Sequence, residues 1–313
     1  MAQRPLVSIV TPFYNEGEGV KHFYQVMTQT MEKLPNYDFE LICVDDGSKD
    51  NTLEQLIALS KTDPRVTVLE FSRNFGKEPA MTAGIDAASG DCVIPIDADL
   101  QDPPGLISEM LTKWQEGAEV VLAKRIDRSS DSYAKRTTAL MFYRLHNALS
   151  HLQIPENVGD YRLMDRVVVD ALKQLPERQR FMKGLFAWVG FKTVTVEYVR
   201  DARLVGDSKF SGWKLWNFAI EGITSFSLVP LKVWTYVVGI GALFALLYAL
   251  FVIVKTLVFG IDVPGYASLL VVMLFFGSLQ LVCLGVLGEY IGRIYFESKQ
   301  RPLYLIRKRH SNK

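Results

Sequence analysis

Cysteine is scarce in this 313-residue sequence, and its three cysteines, Cys43, Cys92 and Cys283, form no motif. Their spacing matches neither a zinc site nor a redox pair, which leaves small, reduced, buried thiols as the interpretation. The four histidines are likewise scattered, without the spacing of metal ligands. We therefore expect no metal centre built on cysteine or histidine.

An excess of charge of one sign and a signal peptide are missing as well. The formal net charge is +1, and we expect no nucleic-acid partner. The start, MAQRPLVSIV, lacks a basic segment followed by an apolar core of about 7 to 15 residues, so we expect a cytoplasmic catalytic part. Charge is also rare between residues 233 and 291, which contain only Lys255, Asp262 and Glu289.

The first two thirds of the chain alternate between strand-like and helix-like patterns. Runs rich in Val and Ile predict strands at 6–12, 39–46, 66–72, 92–97 and 119–123, followed by 161–164 and 193–199. Helices are predicted at 17–33, 51–62, 78–88 and 104–116, the second capped by Asp50 or Asn51. This alternation indicates an α/β domain whose mostly parallel sheet is covered on both faces. Pro95 lacks a ladder donor, which suggests a sheet edge or a bulge at that point.

Polar residues follow four of these predicted strands, at Pro12–Glu16, Asp45–Ser48, Arg73–Asn74 and Asp97–Asp99. Ligands of open α/β sheets bind beyond the carboxyl ends of the strands, so these segments are expected to line one crevice. Asp97 and Asp99 end an apolar strand and predict a site for Mg²⁺ or Mn²⁺, although surface acids and helix caps produce the same pattern.

Two further acids in this region have competing interpretations. Asp46 can accept a hydrogen bond from a nucleotide base or a ribose hydroxyl, or it can cap a turn with Gly47. Asp102 precedes Pro103-Pro104 and is interpreted first as the N-cap of the next helix.

The C-terminal third predicts membrane association. Residues 211–232 are aromatic-rich and weakly amphipathic, as in helices that lie in the membrane interface. Two apolar segments, 233–254 and 266–292, follow; about 22 residues at about 1.5 Å each reach about 33 Å, enough for a hydrocarbon core of about 30 Å. Basic residues flank this pair and continue in the tail, 293–313, so both termini are expected in the cytoplasm. The tail is also expected to touch anionic headgroups.

Seven motifs in order carry a family resemblance: SIVTPFYNE, VDDGSKDNT, RNFGKEPAMTAGIDAASGD, DADLQDPP, GDYRLMDR, RLVGDSKFSGWKL and LGEYIGRIYFESKQRP. Together they resemble glycosyltransferase family 2, and within it the polyprenyl-phosphate glycosyltransferases. The resemblance covers about residues 1 to 302; its two-span ending is most similar to the bacterial bactoprenol glucosyltransferases, which are related to dolichol-phosphate mannose synthase. It implies a GT-A fold, a Rossmann-like sheet, for residues 1–210.

The resemblance also implies roles for individual residues. The nucleotide-sugar set is Pro12, Tyr14, Glu16, Asp46, Asn74, Lys77 and Asp97. Asp97 and Asp99 would hold the metal, with Asp99 the direct ligand, and the catalytic set would be Asp99, Asp160, Arg203 and Lys209. Arg203 and Lys209 match a basic motif near the acceptor phosphate, in which Phe210 replaces a tyrosine that is common in relatives.

Physical chemistry leaves the role of Asp160 open. A phosphate monoester with a second pKa of about 6 is mostly a dianion at neutral pH, so it needs little deprotonation. Asp160 is therefore either the base or a residue that orients an arginine or a sugar hydroxyl. The basic run 123–136 offers Arg125 and Arg128 as clamps for the acceptor phosphate, with a solvated loop as the alternative. The following segment, 138–152, predicts a helix on the membrane or in the core.

The expected function is metal-dependent, inverting transfer of glucose from UDP-glucose to undecaprenyl phosphate, at the cytoplasmic face of a bacterial inner membrane. The expected partners are the lipid bilayer, a separate flippase and a downstream glycosyltransferase of cell-surface glycans such as O-antigen; a homo-oligomer is left open. One alternative is the same reaction with GDP-mannose or a UDP-linked modified pentose. A second is a processive polysaccharide synthase, although its Gln-x-x-Arg-Trp signature is missing from the sequence. The third is a non-catalytic scaffold that binds a nucleotide sugar.

Overall fold

The computed structural model describes residues 4–126, 158–175, 177–178, 180, 182–199, 229–259 and 265–312. Its strands are β1 (Leu6–Phe13), β2 (Asp38–Asp45), β3 (Val66–Phe71), β4 (Cys92–Pro95), β5 (Val120–Arg125), β6 (Val158–Asp165), β7 (Thr193–Tyr198) and β8 (Ile306–His310). Its helices are α1 (Val20–Glu32), α2 (Thr52–Thr62), α3 (Lys77–Ala87), α4 (Ile107–Gln115), α5 (Arg166–Lys173), α6 (Met182–Trp188), α7 (Val229–Phe259) and α8 (Tyr266–Ser298). A 3₁₀ turn, Pro104–Leu106, precedes α4.

The strands form one sheet in the order β7-β5-β6-β4-β1-β2-β3-β8. Strand pairs β1–β2, β2–β3, β1–β4 and β5–β7 are parallel, whereas β6 runs antiparallel to both its neighbours and β8 runs antiparallel to β3. The predicted mostly parallel α/β sheet is therefore confirmed. All seven predicted strands are present, and the four predicted helices are present with ends shifted by a few residues.

Helices cover both faces of the sheet, as the alternating sequence pattern predicts. One buried cluster contains Phe23 of α1, Leu56 of α2 and Met110 of α4, and the other contains Met81 of α3, Val169 of α5 and Leu185 of α6. Phe13 and Phe23 join the first cluster through an edge-to-face contact with ring centroids 5.3 Å apart. Cys43 and Cys92 are buried free thiols, as predicted, and burial raises the pKa of Cys43 to about 12.

One prediction about local structure is wrong, and another is correct only locally. For Pro95 an edge or a bulge was predicted: β4 is not an edge strand, because it lies between β1 and β6, but pairing with β6 ends before Pro95. Proline is tolerated there because β4 pairs with β6 only through Cys92 and Val93, so the missing N–H of Pro95 breaks no bond to β6. On the other side, the hydrogen bond to β1 comes from Ile96 N–H, which donates to Val10 O. Asp102 is not the N-cap of the next helix: Pro103 holds that position, and the Asp102 carboxylate accepts a hydrogen bond from the Tyr198 hydroxyl.

The two predicted apolar segments are long helices, α7 with 31 residues and α8 with 33. Several of their large apolar side chains are exposed in the isolated chain, among them Phe244, Leu257 and Leu281. Within the described residues, one segment, Phe275–Ser298, is long and apolar enough to cross a membrane by length and composition. Residues 138–152 and 211–228 lie outside the described part, so the helices predicted there remain predictions.

The chain returns to the sheet after α8, which the sequence pattern did not predict. Ile306–His310 form β8 against β3, so the end of the basic 293–313 segment is a sheet strand and not a plain tail. Tyr304 stacks on Phe71 with centroids 5.3 Å apart, and its hydroxyl donates to Asp86 Oδ2 at 2.9 Å. Glu297, at the end of α8, accepts a hydrogen bond from Arg178 N–H. The end of α8 and the α/β domain are thus connected directly.

Candidate active site

The loops that follow β1 and β2 are joined by hydrogen bonds at the carboxyl edge of the sheet. Asn15 N–H donates to Ser48 Oγ, and Asn15 Oδ1 accepts from Lys49 N–H at 2.8 Å. Glu16 N–H donates to Thr52 Oγ1 at 2.9 Å. Asp50 Oδ1 also accepts from Thr52 N–H, whereas the Asn51 side chain makes no capping bond, so Asp50 is the residue that caps α2. The first two predicted crevice segments therefore lie side by side.

Asp46 fixes the loop after β3. Its Oδ1 accepts from Phe75 N–H at 2.6 Å and its Oδ2 accepts from Gly76 N–H at 2.9 Å. Burial raises the pKa of Asp46, although these two backbone donors act against the shift. Gly47 permits the close approach of this loop, since its φ is +67° and an added Cβ would lie 2.5 Å from the Arg73 carbonyl carbon. Asp46 thus has a structural task, and its contact with a base or ribose remains a prediction.

Lys77, the first residue of α3, joins a predicted metal ligand, Asp97, to a predicted catalytic residue, Asp160. Its Nζ lies 2.7 Å from Asp97 Oδ1 and 2.9 Å from both Asp97 Oδ2 and Asp160 Oδ2. Burial alone would lower the pKa of Lys77, but the charges of Asp160 and Asp97 outweigh it and raise the pKa above its ordinary value. The structure thereby brings together Asp97, which follows β4, Asp160 of β6 and Lys77 at the start of α3.

Asp160 is the most enclosed member of this group. Its Oδ1 is buried and has no hydrogen-bond partner within the described part of the chain. Burial alone would raise the pKa of Asp160, but the charges of Lys77 and Lys183 outweigh it and lower the pKa. Asp160 is therefore an ionised carboxylate with one oxygen held by Lys77.

Two neighbours of Asp160 were not singled out from the sequence. Arg162 is buried, donates to Gly159 O at 2.7 Å and lies with its Cζ 4.0 Å from the centroid of the Phe186 ring, and burial lowers its pKa to about 10. Glu78 follows Lys77 and accepts from Met182 N–H at 3.1 Å. Burial and then the charge of Asp160 raise the pKa of Glu78 to about 7. The only sequence signal was their position inside the GDYRLMDR and RNFGKEPAM motifs.

Asp97 and Asp99 lie in a tight turn after β4. Leu100 N–H donates to Asp97 O at 3.3 Å, Gln101 N–H donates to Asp99 Oδ1 at 3.3 Å, and Leu100 has a φ of 51°. No cluster of three or more His, Cys, Asp or Glu residues suited to a metal occurs within the described ranges. Two carboxylates still fit Mg²⁺ or Mn²⁺, because such ions often take their remaining ligands from substrate phosphates and water.

The remaining predicted site residues are distributed along the same edge. Pro12 is in β1, Tyr14 follows it with 39% of its surface exposed, and the Asn74 carbonyl accepts from Arg73 at 2.8 Å. Arg125 is the last residue of β5. Its neighbour Lys124 pairs with Val158 of β6, and Asp160 lies two residues further along β6. Arg128, Arg203 and Lys209 lie outside the described residues, and so does Phe210.

The mostly parallel sheet, with paired carboxylates and a lysine at its strand ends, defines the class as an α/β domain of the kind that binds ligands at that edge. A model of the family "Glycosyl transferase family 2" matches residues 8–173. The chain belongs to this family, and it is a glycosyltransferase.

Curated relatives match almost the entire chain. The SfII prophage-derived bactoprenol glucosyl transferase of Shigella flexneri is 56% identical over 304 residues, which cover 97% of this chain and 98% of that protein. An uncharacterised glycosyltransferase of Synechocystis is 54% identical over 300 residues, covering 96% and 94%.

A solved structure supports the fold. Glucosyl-3-phosphoglycerate synthase from Mycobacterium tuberculosis, in complex with Mn²⁺, UDP and phosphoglyceric acid, aligns with a TM-score of 0.51 and 22% identity over 70% of this chain and 76% of that one. Similarity at this level establishes the GT-A-like fold of the α/β part.

Proposed function

We propose that this glycosyltransferase moves glucose from UDP-glucose to undecaprenyl phosphate at the cytoplasmic face of a bacterial inner membrane. The observation that carries the proposal is the 56% identity to a protein named bactoprenol glucosyl transferase, which extends over 97% of the chain and so includes both the α/β domain and the long apolar helices. The product would be a polyprenyl-phosphate-linked glucose for cell-surface glycans such as O-antigen, with translocation and the final transfer left to a separate flippase and a downstream glycosyltransferase.

The strand ends suit a nucleotide sugar and a divalent ion. Asp97 and Asp99 are hard oxygen ligands for Mg²⁺ or Mn²⁺, which would stabilise the negative charge on the departing UDP. Pro12, near the end of β1, and Tyr14, Glu16 and Asn74, on the loops after β1 and β3, are proposed to contact the nucleoside. Asp46 holds the backbone of Phe75 and Gly76 directly before Lys77, and Lys77 is proposed to contact the diphosphate.

The acceptor phosphate supplies its own nucleophile. One of its anionic oxygens would attack the anomeric carbon as the bond to UDP breaks, which inverts that centre. Asp160 has a lowered pKa and an ammonium partner 2.9 Å away, and both properties suit a residue that orients cations better than they suit a general base. Arg125, together with Arg128, Arg203 and Lys209, is proposed to hold the acceptor phosphate.

The membrane arrangement is part of the proposal. We assign α7 and α8 as a transmembrane hairpin because both helices expose apolar side chains over more than the length of a hydrocarbon core. Pairing of β8 with β3 supports a catalytic domain and a C-terminus on the same side of the membrane. The abundance of Arg and Lys after α8 favours the cytoplasmic side.

A donor panel tests the proposed reaction. Purified full-length protein in detergent would be incubated with undecaprenyl phosphate, Mn²⁺ and radiolabelled UDP-glucose, GDP-mannose or a UDP-linked pentose, and extracted lipid would be counted. We expect label from UDP-glucose. Label from GDP-mannose without label from UDP-glucose would assign a different donor, and no labelled lipid from any donor would favour a non-catalytic scaffold.

A further inference from the structure

The ammonium group of Lys77 lies against both oxygens of a predicted metal ligand. Its Nζ is 2.7 Å from Asp97 Oδ1 and 2.9 Å from Oδ2, so it takes the position that a chelated cation would take. Asp160 completes this arrangement with an Oδ2 contact of 2.9 Å. The carboxylate that is expected to help bind the metal is therefore already neutralised by a cation of the chain itself.

A metal and this ammonium group exclude each other at Asp97. A Mg²⁺ ion binds carboxylate oxygens at about 2.0 to 2.1 Å, which would leave the ammonium within a few ångströms of a doubly charged ion. At such distances two cations repel each other, and a divalent ion repels the ammonium more than a monovalent one would. Lys77 must therefore move away from Asp97 before a metal binds there.

The contacts of Lys77 within the described ranges are with carboxylates. Asp160 is the other carboxylate that it contacts, and Asp160 is already its partner. The Lys77 side chain is 46% exposed, so one side of it faces solvent, and its four-carbon chain is flexible. A nucleotide diphosphate entering from that side would give the ammonium new anionic partners and would give the metal its missing oxygen ligands.

We infer that Lys77 acts as an internal cation that keeps the divalent metal out of the Asp97–Asp99 site until a nucleoside diphosphate arrives. Lys77 is thus a positioning residue that couples metal binding to donor binding, and this role rests on the proposed metal-dependent function. Thermodynamic linkage makes this coupling reciprocal. If the nucleotide raises the affinity for the metal by some factor, the metal raises the affinity for the nucleotide by the same factor.

Mn²⁺ binding in the absence of turnover tests this role. Free Mn²⁺ would be quantified by electron paramagnetic resonance during titration of full-length protein in detergent, with and without UDP. The variants are Lys77→Gln, which removes the charge, Lys77→Arg, which keeps it, and Lys113→Gln as a matched control, because Lys113 pairs with Glu116 on α4 away from the site. Lys77→Met replaces Lys77→Gln if thermal melting shows that the latter is unfolded.

Without UDP, we expect Lys77→Gln to bind Mn²⁺ about tenfold more tightly than the wild type. The wild type, Lys77→Arg and Lys113→Gln should bind Mn²⁺ tightly only when UDP is present. Equal affinity of the wild type and Lys77→Gln without UDP would overturn the inference about Lys77 and leave the proposed function intact. Failure of the wild type to bind Mn²⁺ even with UDP would contradict the metal-dependent function itself.

Discussion

At Asp160, the local environment argues for an orienting role. One oxygen contacts Lys77 at 2.9 Å, and the charges of Lys77 and Lys183 outweigh the effect of burial and lower the pKa of the carboxyl. A carboxylate with a lowered pKa is a weak proton acceptor, and a phosphate dianion does not need one. The negative charge of Asp160 is better suited to holding the cationic side chains that contact the two substrates than to accepting a proton.

Replacing Asp160 by Asn tests this assignment. The variant keeps the shape and loses the charge, so we expect kcat to fall by less than about 100-fold, below the usual contribution of a general base. The dependence of kcat/KM on pH should keep its shape, because no proton acceptor is lost. Loss of the acidic limb of that profile in Asp160→Asn would identify Asp160 as the base.

Glu78 provides a prediction for the pH dependence of stability. Burial and the charge of Asp160 raise its pKa from 4.5 to about 7, so between these values the folded protein binds more protons than the unfolded chain. Stability must then fall as the pH rises through this window, by up to about 3 kcal/mol, and stay level above it. Glu78→Gln removes the effect and keeps an oxygen that can accept from Met182 N–H.

We therefore expect the melting temperature of Glu78→Gln to exceed that of the wild type at pH 8 by more than it does at pH 5. Scanning calorimetry or fluorescence melting of the detergent-solubilised protein gives this difference. Glu54→Gln, at an exposed position of α2, is the matched control and should behave like the wild type at both values. A constant difference between Glu78→Gln and the wild type would contradict the shifted pKa.

Several residue roles followed from the sequence, and others required distant contacts. Asp97 and Asp99 were expected at the crevice because they follow a predicted strand, whereas Asp160 was assigned from the family resemblance. In the structure, Lys77 joins Asp97 to Asp160. The partner of Asp102 could not be predicted in the same way, since the Tyr198 hydroxyl belongs to a strand 96 residues away. A local pattern of Asp before proline predicts a cap, and the tertiary contact overrides it.

Among the elements, the interior strands were predictable and the last one was not. The sequences of β1 to β5 are rich in Val and Ile because both of their faces are buried. The β8 sequence, IRKRH, has no such pattern, because it lies at the sheet edge and is mostly exposed. Its pairing depends on β3 and on Glu70, which contacts His310 at 2.9 Å and Arg307 at 3.5 Å.

The Tyr304–Phe71 contact should hold β8 in place. Tyr304→Ala removes the stacked ring and the bond to Asp86, and we expect it to destabilise β8 by about 2 kcal/mol. Tyr304→Phe keeps the ring and should lose about 1 kcal/mol or less. Hydrogen exchange of the β3 and β8 amides, followed by mass spectrometry, measures both changes. Unchanged exchange in Tyr304→Ala would show that the strand is held by its backbone pairing alone.

At the scale of the whole molecule, the return of the chain to the sheet constrains how it sits in a membrane. Because β8 pairs with β3 and Glu297 binds Arg178 N–H, the chain beyond α8 stays beside the catalytic domain. An even number of membrane crossings between residues 199 and 306 is then required. The proposed hairpin of α7 and α8 meets this requirement.

Cysteine labelling tests this topology in intact cells. We expect a membrane-impermeant maleimide to label Asp262→Cys, in the predicted outer loop, without permeabilisation. Ser311→Cys, just after β8, should react only after the membrane is opened. The wild type is the background control: Cys43 and Cys92 are buried, and the label that it takes up reports the half-buried Cys283 of α8. Labelling of Ser311→Cys in intact cells would contradict a cytoplasmic C-terminus.

The central claim is that the carboxylates at the end of β4 support transfer of glucose to a lipid phosphate. The most direct measurement is lipid-linked radioactivity formed from UDP-[¹⁴C]glucose and undecaprenyl phosphate by wild type, Asp99→Ala and Asp38→Ala. Asp38 is an exposed acid paired with Arg4 at the start of β2, the end of that strand away from the site. We predict labelled lipid with the wild type and Asp38→Ala, and a loss of about 100-fold or more with Asp99→Ala, because a bound metal supplies several kcal/mol of charge stabilisation. Unchanged turnover in Asp99→Ala would contradict the account.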